Sequence, residues 1–81
     1  MIQLYVAPGC PACVRVIDFL EEQAIPFVEK PISLWNDCDT RRELVELAGR
    51  KQVPFLHDPI RDVRMHESLD IIDYIGEHYG K

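Results

Sequence analysis

Cys10-Pro11-Ala12-Cys13 follows closely on a short apolar run, Ile2 to Val6, and opens a helical pattern. A cysteine at a helix start faces unpaired backbone N–H groups and the positive end of the helix dipole, both of which favour a thiolate. A second cysteine three residues on lies one turn into the same helix, within reach of a mixed disulfide formed on the first. Pro11 suits the first helical position, where its missing N–H is no loss, and Pro8-Gly9 supply the turn from strand to helix. The motif alone is also half of a zinc site. Zinc takes about four ligands, and the chain offers besides only Cys38 and the scattered His57, His66 and His78, none paired at ligand spacing. The context favours a redox dithiol, and no metal is expected.

The surrounding pattern is that of one small domain over residues 1–81. Ile2 to Val6 reads as a strand buried on both faces. From Pro11 to Ala24, Cys13, Ile17, Leu20 and Ala24 recur at helical spacing with Val16 beside them, and the helix ends before Pro26. Phe27 to Ile32 gives a second strand, which calls for a right-handed parallel crossover. Thr40 with Glu43 has the form of a capping box, so a second helix is expected there with Leu44, Val45, Leu47 and Ala48 inward and Gly49 as its stop. Val53 to His57 and Val63 to Met65 read as a β-hairpin around a polar turn that includes Asp58-Pro59. Glu67-Ser68 open a last helix with Leu69, Ile71, Ile72 and Ile75 inward. The order is βαβαββα, an α/β fold.

Composition limits the partners. A net charge of −5, with Arg41-Arg42 and Arg50-Lys51 as the only basic pairs, argues against nucleic acid or an anionic membrane. No run approaches the roughly 20 apolar residues of a membrane span. Three cysteines do not make a secreted disulfide framework, so a soluble cytoplasmic domain is expected. Cys38 is left over and reads as a bystander, and the histidines read as surface or rim residues. Trp35 fits either loop packing or the edge of a ligand site.

Taken together, the CPxC at Cys10 to Cys13, Gln52-Val53-Pro54, and Glu67-Ser68 followed by Leu69-Asp70-Ile71-Ile72-Asp73-Tyr74-Ile75 resemble the thioredoxin-like superfamily. Within it the chain resembles the glutaredoxins and the N-terminal domain of glutathione transferases, and most closely the transferase-like first domain of the two-domain bacterial glutaredoxins. The resemblance covers essentially the whole chain and implies a four-stranded mixed sheet flanked by helices. It also implies a glutathione-dependent thiol–disulfide oxidoreductase, with Cys10 as nucleophile, Cys13 as resolving thiol and glutathione as co-substrate. Pro54 would be cis and lie against the cysteine motif, and Val53 would offer its backbone to the cysteinyl unit of glutathione. Ser68 would hold the γ-glutamyl carboxylate, Glu67 the ammonium, and Gln52 the region of the peptide or glycyl end. On the residues alone, Val53-Pro54 is equally a plain strand start and Glu67-Ser68 an ordinary helix cap. Glutathionylated or disulfide-containing proteins would be the partners of a monomer.

Two departures stand out. Ala7 and Ala12 occupy places where many glutaredoxins carry a basic residue and an aromatic, so the helix N-terminus would bear more of the thiolate stabilisation. Two other readings remain on these residues: a thioredoxin-like reductant fed by a flavoprotein reductase, and a non-catalytic module binding glutathione or an iron–sulfur cluster.

Overall fold

A computed structural model describes residues 1–33 and 35–80. Its elements are β1 (Ile2–Val6), α1 (Pro11–Glu22), β2 (Phe27–Pro31), α2 (Asp39–Ala48), β3 (Phe55–Asp58), β4 (Val63–His66) and α3 (Ser68–Tyr79). The four strands form one mixed sheet in the order β2-β1-β3-β4. β1 runs parallel to β2 and antiparallel to β3, and β3 and β4 form the antiparallel hairpin. This is the expected thioredoxin-like fold.

β1 is apolar at nearly every position because both of its faces are covered. Ile2, Leu4 and Val6 point into a core shared with Cys13, Val16 and Leu20 of α1 and Ile71, Tyr74 and Ile75 of α3. Tyr5 points the other way, into a smaller core that includes Ala7, Ile32, Leu44 of α2 and Phe55 of β3. β2 is an edge strand, with Val28 and Glu29 exposed. Lys30 Nζ and the Tyr5 hydroxyl both donate to Glu43 Oε1 at 3.1 Å, tying α2 to β1 and β2. Burial, then the neighbouring Glu43, pushes the Tyr5 hydroxyl up to about 12. The ammonium of Lys30, with the Tyr5 hydroxyl, holds Glu43 below the ordinary carboxylate range.

Several local expectations are corrected. α1 stops at Glu22, and Ala24 is exposed rather than inward, because it makes the left-handed turn (φ 55°) that brings the chain into Ile25-Pro26. β2 ends at Pro31, although the Ile32 N–H still donates to the Val6 carbonyl. The Thr40 capping box does not form: Cys38 is the N-cap of α2, Thr40 Oγ1 donates to the Pro31 carbonyl, and Glu43 is taken by Tyr5 and Lys30. Val45 is exposed, whereas Gly49 ends α2 at φ 79° as its position requires. β3 begins at Phe55, since Val53 and Pro54 form the bend before it. Leu69 is 64% exposed, as it lies roughly 200° around α3 from Ile71 at the α-helical repeat.

The largest surprise is Asp58, expected in a polar turn and found fully buried. Its carboxylate accepts from the hydroxyls of Tyr74 at 2.6 Å and Tyr79 at 2.5 Å, and from the N–H groups of Ile60 and Arg61. Burial pushes this carboxyl up, and the donors outweigh it, so Asp58 is held below the ordinary carboxylate range.

Candidate active site

Cys10 is the N-cap of α1 in extended backbone, placed there by Gly9 at φ 73°. Its sulfur accepts the N–H of Cys13 at 3.2 Å, and its carbonyl accepts the N–H of Val14 at 3.1 Å. One of the helix's leading N–H groups is therefore aimed at the Cys10 sulfur. Cys10 is partly exposed and Cys13 is 1% exposed. Burial, then the bond to Cys10, pushes the Cys13 thiol up to about 12, so Cys13 is held as a thiol next to the more open sulfur.

The strand register explains how distant segments reach this point. Val6 pairs with Pro31, Tyr5 with Phe55, and Phe55 with His66. The segment after β1, the residues before β3 and those after β4 thus share one end of the sheet. Cys10, Val53-Pro54 and Glu67-Ser68 are brought to that end together. The Val53–Pro54 peptide is cis, Pro54 is buried, and Val53 packs against both cores. Gln52 Nε2 donates to Glu67 Oε1 at 3.4 Å, which joins two more of the predicted residues.

Glu67 is exposed and sits at φ 73°, an uncommon backbone for a residue with a side chain. It is the N-cap of α3, and among the described residues no side chain caps that helix. Ser68 is the first helical residue. The pair is therefore not an ordinary side-chain cap: an uncapped helix start, a hydroxyl and a carboxylate stand together at the sheet end that carries Cys10.

A cavity of about 340 Å³ opens on the β2 side of the same end, lined by Pro8, Pro31, Ile32, Ser33, Trp35, Cys38 and Thr40. Trp35 is 90% exposed rather than packed into its loop. The Cys38 sulfur lies 3.4 Å from Thr40 Oγ1, and this hydroxyl, with neighbouring backbone groups, lowers the thiol's pKa. Among the described residues no group of three or more histidine, cysteine or acidic side chains is placed to hold a metal ion, and no helix is long and apolar enough to cross a membrane.

His66 is half-buried at the rim, with one ring nitrogen enclosed. Its ring lies against Phe55 with centroids 4.8 Å apart, Arg50 Nε donates to its Nε2 at 3.5 Å, and its Nδ1 is buried. Strand alternation carried the signal, since Val63 and Met65 pack on the larger core and His66 faces the other way. His57 meets its cross-strand neighbour Gln3 at 3.1 Å, and His78 stacks on Tyr74.

Residues 4–81 match the family model described as glutathione S-transferase, N-terminal domain. No curated protein matches the chain. Among solved structures, a glutathione S-transferase from the Antarctic clam Laternula elliptica is 36% identical, with 96% of this chain and 35% of that chain covered at a TM-score of 0.81. A delta-class glutathione transferase from Nilaparvata lugens is 26% identical, with 100% and 37% covered at a TM-score of 0.83. Glutaredoxin 2 from Salmonella typhimurium, in complex with glutathione, is 27% identical, with 100% and 35% covered at a TM-score of 0.79. The chain spans about a third of the length of these structures.

Proposed function

Because the chain belongs to the glutathione S-transferase N-terminal domain family, we propose that it uses glutathione, and that it does so as a thiol–disulfide oxidoreductase. The observation that carries this is the partly exposed Cys10, whose sulfur accepts the N–H of a buried second cysteine at the sheet end shared with Val53-Pro54 and Glu67-Ser68. Glutathione lies with its cysteinyl unit along the Val53 backbone, its γ-glutamyl carboxylate on Ser68 and the start of α3, and its ammonium on Glu67. Gln52 flanks the peptide or glycyl end.

Cys10 attacks the glutathione sulfur of a mixed disulfide. A new sulfur–sulfur bond forms, the old one breaks, and the protein thiolate leaves with the electron pair and takes up a proton. A second glutathione thiolate then attacks the glutathione sulfur on Cys10, which restores Cys10 and releases oxidised glutathione. With a protein disulfide, Cys10 attacks one of its sulfurs, forming a mixed disulfide and releasing the first protein thiolate. Cys13 then gives up its proton and attacks the Cys10 sulfur, closing the internal disulfide while the second protein sulfur leaves as a thiolate and takes up a proton. Two glutathione molecules reduce that disulfide. Burial of Cys13 keeps it from competing for the first attack.

A coupled assay tests the reading. Turnover is expected with glutathione and glutathione reductase as the electron source, and turnover with a thioredoxin reductase alone would contradict it. A transferase reading is favoured by the 36% identity to the Laternula elliptica enzyme. Conjugation of glutathione to an activated aryl halide, without disulfide reduction, would establish that reading instead. A coloured, oxidation-sensitive protein on purification would indicate the cluster-binding module.

A further inference from the structure

His66 belongs to none of the roles assigned above, yet two side-chain bonds join its neighbourhood to the segment before β3. Arg50 Nε donates to His66 Nε2, and Gln52 Nε2 donates to Glu67 Oε1. A guanidinium only donates, so Nε2 must carry a lone pair and the ring proton sits on Nδ1. That nitrogen is buried and makes no well-formed hydrogen bond among the described residues, although the backbone of Gln52 and Pro54 lies close to the ring. The ring is held in place by its tilted contact with Phe55, its register partner in β3. A second proton would go to Nε2, where it would remove the acceptor for Arg50 and set two positive charges against each other.

We propose that His66 is a positioning residue for glutathione: its neutral ring ties the segment carrying Gln52, Val53 and Pro54 to the end of β4, and protonation at Nε2 undoes that tie. The inference rests on the glutathione reading above and deepens it. The charged groups facing the ring are Arg50, from the segment after α2, and Glu67, the next residue in the chain; β3 contributes the uncharged Phe55. Burial and Arg50 lower the basicity of the ring, while the backbone of Gln52 and Pro54 and the charge of Glu67 oppose them. The net direction is below the ordinary histidine value of 6.5, so the tie is intact near neutrality and loosens as pH falls.

The test is calorimetric titration of the Cys10→Ser protein with reduced glutathione between about pH 7 and pH 5, where the glutathione carboxylates and ammonium keep their charges. Affinity is expected to fall about two- to fivefold towards pH 5, the scale of one lost exposed hydrogen bond. His66→Gln in the same background keeps an acceptor and cannot take the proton, so its affinity should stay near the neutral value throughout. His66→Phe keeps an aromatic contact with Phe55 and loses the acceptor, so it should bind weakly at both pH values, with a thermal melt confirming its fold. A flat pH profile with His66 present, or the same slope in His66→Gln, would overturn the proposal while leaving the glutathione reading intact. No binding at any pH would overturn that reading and this inference with it.

Discussion

The two ends of the sheet treat polar groups in opposite ways. At the end where β3 turns into β4, the Asp58 carboxylate is fully buried and surrounded by two tyrosine hydroxyls and two backbone N–H groups. At the other end Glu67 is exposed, α3 starts without a side-chain cap, and Cys10 is partly open. A carboxylate whose acceptor sites are filled from within has its structural work done. A carboxylate, a helix start and a thiol left open at one end of the sheet can act on something else. The difference teaches that satisfaction of polar groups, rather than their burial or charge alone, separates framework from site.

The sharpest way to break the contrast is at Cys10. Cys10→Ser should lower turnover of a glutathione mixed disulfide at least about a hundredfold, whereas Cys13→Ser should retain a substantial part, since the monothiol route needs one attacking sulfur. Steady-state kinetics of the two variants decide this, and equal losses would remove that route. Glu67→Ala or Ser68→Ala should weaken use of glutathione roughly ten- to a hundredfold by deleting a charge-assisted contact of about 1.5–3 kcal/mol. Reduction of a small disulfide without a γ-glutamyl group should barely change, and melting temperature should hold.

Asp58→Ala reverses the pattern. It strands two tyrosine hydroxyls and should cost about 2–4 kcal/mol in chemical denaturation, with activity per folded molecule unchanged. The same carboxylate predicts a pH effect. Its folded pKa lies below the ordinary value of 3.8, so its contribution is present above that value and is lost as pH falls through the folded pKa. Thermal melts from about pH 6 to pH 3 should show a steeper acid loss in the unaltered protein than in Asp58→Asn. The smallest effect is expected at Gln52, whose 3.4 Å bond to Glu67 is exposed. Gln52→Ala should weaken glutathione binding only about two- to fivefold.

What the sequence made legible is what local chemistry determines. The apolar run of β1, the proline-marked start of α1 and the glycine that ends α2 each carry their signal within a few residues. The features it hid depend on partners far along the chain. Asp58 reads as a turn residue until Tyr74 and Tyr79 arrive from α3. Thr40 and Glu43 match a capping box, but Pro31, Tyr5 and Lys30 claim them first. His66 reads as a rim residue, and only the hairpin register reveals that its ring lies against Phe55. The candidate site was legible as a set of motifs; that the motifs meet follows from the pairing of β1 with β3 and of β3 with β4.

The central claim is that Cys10 is the sulfur that exchanges with glutathione. The most direct measurement is peptide mass mapping of the Cys13→Ser protein after exposure to oxidised glutathione, which traps the intermediate by removing the resolving thiol. The account predicts a glutathione adduct on Cys10 that added reduced glutathione removes. An adduct confined to Cys38, or none on Cys10, would contradict it.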